Sequence, residues 1–301
     1  MKHIKYFLQF LFIGCLLIFF KIVGLKFSRV IASKLFSIFG HFFRSKKIIE
    51  QNISFAFNES DKKFKKVIIS NMWKSYGKIL AEYVFMKYFR KNKSEKFLKI
   101  KGQEILEEIK LTKDPVIFVS GHFDNFELMA MHIEKSGVDL AAIYRPLNNK
   151  FLNPVMENIR KKYICRKQIK KGISGTKEIL KYFKSGTSIA LMIDQRVSQG
   201  VRSLLFRNEA LTTTIPAQFV KKFKCKIVPI YIERKDNIIT TLTTDELTAA
   251  FEQNNNEITQ FKEHLNGVPN IVINGKYQAK FSREMTLLDV VELVNWLSQQ
   301  Q

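Results

Sequence analysis

Residues 116–137 read VIFVSGHFDNFELMAMHIEKSG, and the rest of the chain can be read outward from them. Asp114-Pro115 ends a preceding helical pattern, and Val116–Ser120 is a short, unbroken, β-branched run of the kind that becomes a buried strand. Gly121 and His122 follow at its end. Asp124 or Asn125 can cap a new helix, which runs through FELMAMHIEKSG and stops at Gly137. Downstream come a strand, DLAAIYRP (139–146), and a helix, FLNPVMENIRKKY (151–163). A further helix around 175–183 precedes a very apolar strand, SIALMID (188–194). TIPAQFVKKF (214–223) reads as a helix with Pro216 near its first turn, and KIVPIYIER (226–234) as another strand. Upstream, residues 62–90 carry helical spacing at Val67, Ile68, Met72, Tyr76, Ile79, Leu80 and Tyr83, and Gln103–Lys110 continue as a helix. Strands alternate with helices, which predicts an α/β class with a largely parallel central sheet flanked by helices.

In such sheets the chemistry collects beyond the carboxyl ends of the strands. Three polar clusters fall there: Gly121-His122 with Glu127, Tyr144-Arg145-Pro146, and Asp194-Gln195-Arg196. On one continuous helix, side chains five residues apart point about 140° away from each other. His122 and Glu127 therefore converge only if the histidine lies in the turn before the helix. A carboxylate on one imidazole nitrogen fixes the tautomer, leaves the other nitrogen basic and stabilises the imidazolium. A hydroxyl held at that second nitrogen becomes nucleophilic as its proton leaves. Free N–H groups at the helix start can stabilise an oxyanion. This is chemistry for acyl transfer to an alcohol without a covalent enzyme intermediate, a metal or a cofactor. GxSxG, Walker A, HExxH and GxGxxG motifs are all missing. His132 reads as a helix-face residue, and His3, His41 and His264 as structural or solvated.

The 301 residues carry 50 Lys and Arg against 27 Asp and Glu, a net charge of +23, and 46% are apolar, including 27 Phe. A disordered basic tail would be far poorer in apolar and aromatic residues. Cys15, Cys165 and Cys225 lie far apart and form no CxxC or zinc spacing, which argues against a disulfide scaffold or a cysteine metal site. The positive charge favours polyanionic partners, and the amino terminus selects among them. Tyr6–Phe20 reads YFLQFLFIGCLLIFF, and apolar character resumes after Lys21. With basic residues on both sides and no small-x-small cleavage site, residues 1–25 read as an uncleaved membrane anchor, spanning or lying in the interface. Val30–Phe43 follows as an amphipathic helix with Arg29, Lys34 and Arg44 on its polar side, suited to anionic lipid. An anchored chain without helix-turn-helix, zinc or RNA-binding signatures is not expected to bind nucleic acid.

SGHFDNFEL (120–128) resembles the His-x4-acid block of the glycerolipid acyltransferase superfamily. Its Asn-aromatic-Glu form is similar to that of the bacterial lipid A biosynthesis acyltransferases, the lauroyl and myristoyl transferases. The resemblance continues through YRPLNN (144–149), ENIRKK (157–162), ALMIDQR (190–196) and TTTIPAQFVKKFKCKIVPIY (212–231). It implies an acyltransferase domain over residues 26–240 that moves a fatty acyl chain to a hydroxyl of a lipid A precursor, a bis-phosphorylated glucosamine lipid. The implied donor is an acyl thioester on acyl carrier protein or coenzyme A. The implied place is the cell inner membrane, with the catalytic domain facing the cytoplasm. His122 would be the general base and Glu127 its partner; Arg145, Arg160, Asp194 and Gln195 would bind substrate. Two other readings stand beside this one: acylation of a glycerol phosphate or lysophospholipid, and a non-catalytic basic protein docking on anionic lipid.

Residues 241–301 differ from what precedes them, with four basic and eight acidic side chains. GVPNIVINGKYQAKF (267–281) followed by LLDVVELVNWL (287–297) resembles the tail of periplasmic thioredoxin-fold disulfide oxidoreductases, with Asn274-Gly275 as a hairpin turn. No CxxC accompanies it, so no redox activity is implied. The expectation is an atypical α+β appendage and a chimera joined near residue 240.

Overall fold

The computed structural model describes residues 2–57, 61–91, 98–195, 197–198, 200–205, 208–235, 238–243, 270–273 and 277–280. The chain divides into two compact units, residues 1–243 and 244–301.

The first unit begins with α1 (Lys2–Phe39), which is interrupted at Gly24 by a non-helical backbone (φ 81°, ψ 165°) that glycine alone adopts without strain. The Ser28 hydroxyl donates to the Phe20 and Gly24 carbonyls (both 2.7 Å), taking up acceptors that the break releases. A 3₁₀ turn (Gly40–Phe42) leads to α2 (Lys46–Ala56), α3 (Lys62–Tyr83) and α4 (Met86–Arg90). Asp61 caps α3 by accepting from the Phe64 N–H (2.5 Å).

The α/β body follows: β1 (Leu98–Ile100), α5 (Gln103–Thr112), β2 (Ile117–Ser120), α6 (Glu127–Lys135), β3 (Leu140–Tyr144) and α7 (Leu152–Ile159). A π turn (Arg160–Ile164) closes α7, with Cys165 N–H bonded to the Arg160 carbonyl at 2.9 Å. Then come β4 (Lys167–Lys170), α8 (Ile173–Lys184), β5 (Ser188–Met192), the β6 (Val201–Leu205) and β7 (Asn208–Thr212) hairpin, α9 (Ile215–Phe223), β8 (Ile227–Lys235) and β9 (Ile238–Thr243). The main sheet runs β1-β9-β8-β2-β5-β3-β4. Its five strands from β8 to β4 are parallel, while β9 runs antiparallel to β8. The α/β expectation holds.

Alternation along β2 sends Phe118 to one face of the sheet and Ile117 and Val119 to the other. The first face packs on α5 and α6 through Leu106, Leu128 and Met131; the second packs on α8 and α9 through Ile179, Phe183 and Phe219. Both faces of the parallel sheet are thus covered. Gly175 sits where α8 crosses the end of β4: a Cβ there would lie 2.0 Å from the Lys170 carbonyl oxygen, so only glycine fits.

Three details depart from the sequence reading. Neither Asp124 nor Asn125 caps α6; Asp124 takes a left-handed turn (φ 32°) and both side chains point to other partners. Arg29, expected on a solvated basic face, is buried against Glu82. β4 is a strand where none was expected. Of the second unit, β10 (Asn270–Ile273) pairs antiparallel with β11 (Tyr277–Lys280), as a hairpin requires. The Val-Pro peptide, the Asn274-Gly275 turn and the expected last helix lie outside the described residues.

Candidate active site

The register of the sheet builds the site. Ser120 of β2 is paired with Met192 of β5, and two residues beyond that pair stand His122 and Asp194. The Asp194 carboxylate spans the gap: Oδ1 lies 2.8 Å from His122 Nδ1, and Oδ2 accepts the His122 backbone N–H at 2.8 Å. One carboxylate therefore fixes both the ring and its peptide. With Nδ1–H donating to Asp194, Nε2 carries the lone pair and accepts from the Gln195 amide at 3.3 Å. The Phe126 ring meets the imidazole edge to face, with centroids 4.7 Å apart. The pair remains open, with 32% of the His122 side chain and 42% of the Asp194 side chain exposed.

Glu127 has other partners. It sits at the start of α6, where it is 7% exposed, and accepts from Arg160 Nε (2.8 Å), from Arg160 Nη2 (2.5 Å) and from the Tyr83 hydroxyl. The pairing expected from the sequence, Glu127 on the ring of His122, is therefore not made: Asp194 occupies Nδ1, and Glu127 is turned to a guanidinium and a phenol. Burial pushes the Tyr83 phenol well up, and the neighbouring Glu127 charge adds to this, so it stays a donor. Burial works against the Arg160 charge, but Glu127 and Tyr83 outweigh it and raise its pKa further. The guanidinium also lies over the Tyr144 ring (5.5 Å), and its Nη1 is buried without a hydrogen-bond partner. The Tyr144 hydroxyl in turn donates to Glu157 (2.6 Å).

The loop between His122 and Glu127 is pinned from below. Arg234, on β8, holds Asp124 (Nη2–Oδ1 2.7 Å) and also Glu82 of α3 (Nη1–Oε1 2.8 Å). Glu82 receives Arg29 Nε from α1 (2.6 Å) and the Asn125 amide (2.7 Å). Two arginines and two carboxylates thus balance inside the protein. They join α1, α3, β8 and the turn whose left-handed residue would otherwise be strained. Sequence reasoning missed Tyr83, Glu82, Arg234 and Arg29 in these roles; the one acid of α3, set between Ala81 and Tyr83 in its last turn, was the available signal.

A pocket of about 250 Å³ opens beside His122. Phe126, Ala130, Ala142, Ile143, Ile164 and Ala190 give it an apolar wall, and Glu127, Arg160 and Gln195 share its lining. Arg145, Lys170, Lys171 and Thr176 line it as well, and Arg145 makes no ion pair with any described residue. His122, Glu127, Arg145, Arg160 and Gln195 thus line one cavity; Asp194 reaches it through His122. Arg196 lies outside the described residues. Cys165 is buried, which pushes its thiol up to about 12, so it is no nucleophile at neutral pH. All three cysteines are unpaired.

The bacterial lipid A biosynthesis acyltransferase family model matches residues 1–274. A curated relative from Shigella flexneri, lipid A biosynthesis acyltransferase 2, is 30% identical over 115 residues. That alignment covers 37% of this chain, and the chain spans a little over a third of the relative's length (36%). The family match continues past residue 240, so the expected junction there and the kinship with a disulfide oxidoreductase tail are not supported. With the match covering nearly the whole sequence, the chain belongs to the bacterial lipid A biosynthesis acyltransferase family.

Proposed function

We propose that the protein transfers a fatty acyl group from an acyl thioester, carried on acyl carrier protein or coenzyme A, to a hydroxyl of a phosphorylated glucosamine lipid, a lipid A precursor. His122 Nε2 removes the hydroxyl proton as the oxygen attacks the thioester carbonyl. The C–S bond then breaks, and the departing thiolate takes the proton back from the imidazolium. Asp194, not Glu127, holds the ring in the required tautomer and stabilises its charge. Gln195 stands where the attacking hydroxyl would approach. Glu127 and Tyr83 hold Arg160 in the pocket wall, where its unpaired Nη1 can donate to the carbonyl oxygen or a phosphate. The acyl chain lies along the apolar wall, and Arg145, Lys170 and Lys171 face the phosphates. The body sits on the cytoplasmic side of the inner membrane, where thioester donors occur.

The observation that carries this reading is the 2.8 Å contact of His122 Nδ1 with Asp194 at the mouth of a mainly apolar pocket that also presents Arg145, Arg160, Lys170 and Lys171, in a chain of this family. The test is acyl transfer by the purified, membrane-reconstituted protein, using labelled acyl-carrier and acyl-coenzyme A donors. Lipid A precursors, glycerol phosphate and lysophospholipid serve as acceptors. Transfer to the glucosamine lipid, lost in His122→Ala, is the expected result. Transfer to a glycerol acceptor alone would overturn the substrate assignment, and full activity in His122→Ala would overturn the mechanism.

A further inference from the structure

The first segment of α1 touches the body along its whole length. At its start, the buried Asn149 donates its amide to the Tyr6 carbonyl (2.8 Å), while its Oδ1 accepts from Phe151 and Leu152 at the start of α7 (3.0 and 3.1 Å). Phe7 and Phe10 pack on the Phe151 ring, with centroids 5.5 and 6.2 Å away. One to three turns further on, Ile13, Leu16, Leu17 and Phe20 pack with Leu80, Ala81 and Val84 at the end of α3. From Tyr6 to Phe20 is about 21 Å along a helix axis.

The opposite face is apolar and bare. Ile4, Leu8, Leu11, Phe12, Ile18, Phe19 and Ile22 are each 44% or more exposed. At about 100° per residue, Lys5 and Lys21 fall on the flanks between the packed face and the bare one. The helix thus has one face on protein, one apolar face without a partner, and cations along its margins. A helix crossing a bilayer at right angles leaves its own body at one end. Here the body would have to follow it most of the way through a hydrocarbon core roughly 30 Å thick. That would carry the exposed Arg145 and Lys150, on the loop that grips Tyr6, into lipid, where an unpaired charge is costly.

We propose that residues 2–23 lie in the plane of the membrane surface, with the face bearing Leu8, Leu11, Ile18 and Ile22 sunk into lipid, rather than crossing it. The occupant of the bare face is the bilayer: the face is wholly apolar, and the flanking lysines suit anionic headgroups. Because the same segment is bolted to the loop that follows Arg145, the pocket rim is held beside the lipid surface, within reach of an acceptor that never leaves it. This inference rests on the anchor and not on the catalytic reading; depth can be measured whether or not acyl transfer is observed.

The experiment uses the full chain in vesicles of phosphatidylethanolamine and phosphatidylglycerol, in a Cys15→Ser, Cys225→Ser background. Single cysteines are placed at Ile4, Leu8, Leu11, Ile18 and Ile22 (Ile4→Cys and so on), and native Cys15 is kept in one further variant. Each is labelled with a fluorophore, and its depth is read with lipids quenched near the headgroup or near the chain end. The expected result is one shallow depth for all six, agreeing within about half a helix diameter, ~5 Å. A depth that changes steadily with residue number, separating positions 4 and 22 by up to about 27 Å, would mean a spanning helix and overturn the proposal. Labels that no lipid quencher reaches would mean that a second copy of the protein covers the face, which overturns it equally. As a second measurement, His3→Cys and Lys26→Cys, at the two ends of the segment, should react with an impermeant maleimide from the same side of the vesicle. Protection of one but not the other would again mean a span.

Discussion

Two carboxylates flank the His122 loop, and they are built in opposite ways. Asp194 is nearly half exposed and serves a single residue, which it grips at the ring and at the peptide. Glu127 is sealed, and a guanidinium and a phenol converge on one of its oxygens. A group that assists proton movement must tolerate a change in its partner's charge, and solvent makes that change cheap. A group buried against a permanent cation has its energy set by that one pairing, and disturbing it is costly. The contrast is what the proposed mechanism rests on, with Asp194 in the reaction and Glu127 placing Arg160.

The largest effect that would test this contrast is on turnover. His122→Ala and Asp194→Asn should each lower kcat by about 10²–10⁴-fold while leaving the melting temperature near that of the parent. If Asp194→Asn kept full activity and Glu127→Gln lost it without losing stability, the two roles would be exchanged. Next comes stability. Glu127→Ala strands a buried guanidinium and should cost about 3–5 kcal/mol in denaturant unfolding. Glu127→Leu combined with Arg160→Met should recover most of that loss but not the activity. An unfolding midpoint unchanged in Glu127→Ala would show that the pair is not sealed. Tyr83→Phe removes one donor to the carboxylate and should cost less, about 1.5–3 kcal/mol; a neutral result would assign the whole task to Arg160.

The smallest effect concerns pH. Burial, helped by the nearby Lys135 charge, lowers His132 to about 4, and its Nε2 lies 2.9 Å from the Gln103 amide oxygen. An unfolded histidine titrates near 6.5. Between those values the unfolded chain binds a proton that the folded one does not, so stability falls as pH drops from about 6.5 toward 4. The melting temperature should fall measurably over that window because of this group, and His132→Gln should flatten the slope. Glu134 adds a separate loss below about 4.5: despite burial, its bonds to Arg166 and Arg90 hold its carboxyl below the usual range. A slope unchanged in His132→Gln would assign the acid sensitivity to the carboxylates alone.

Where the sequence could be read, burial wrote the pattern. β2, β3, β5 and β8 are apolar because helices cover both faces of the sheet, and Pro216 and Gly137 stand at helix ends as their backbone limits require. β4 could not be read this way: KQIK is an edge strand that buries only Ile169. The candidate site was legible as a set of residues but not as a set of pairs. The spacing of His122 and Glu127 correctly demanded a turn between strand and helix. It could not show that β5 lies between β2 and β3, and that order is what brings Asp194 to the imidazole. Nor could it show that Arg160, 33 residues away, would claim Glu127. Arg29 looked like one more lysine-like charge on a wet helix face because its partner, Glu82, is 53 residues distant.

The placement of β5 has a consequence for how the molecule comes into being. A growing chain that has reached residue 187 already holds its greasy first helix, the imidazole and the guanidinium, yet β2 and β3 still lack the strand that will separate them. Only when that strand slides into the middle of the sheet does the imidazole meet its acid. The newborn chain therefore carries its histidine without the carboxylate that orients it until this late strand is in place.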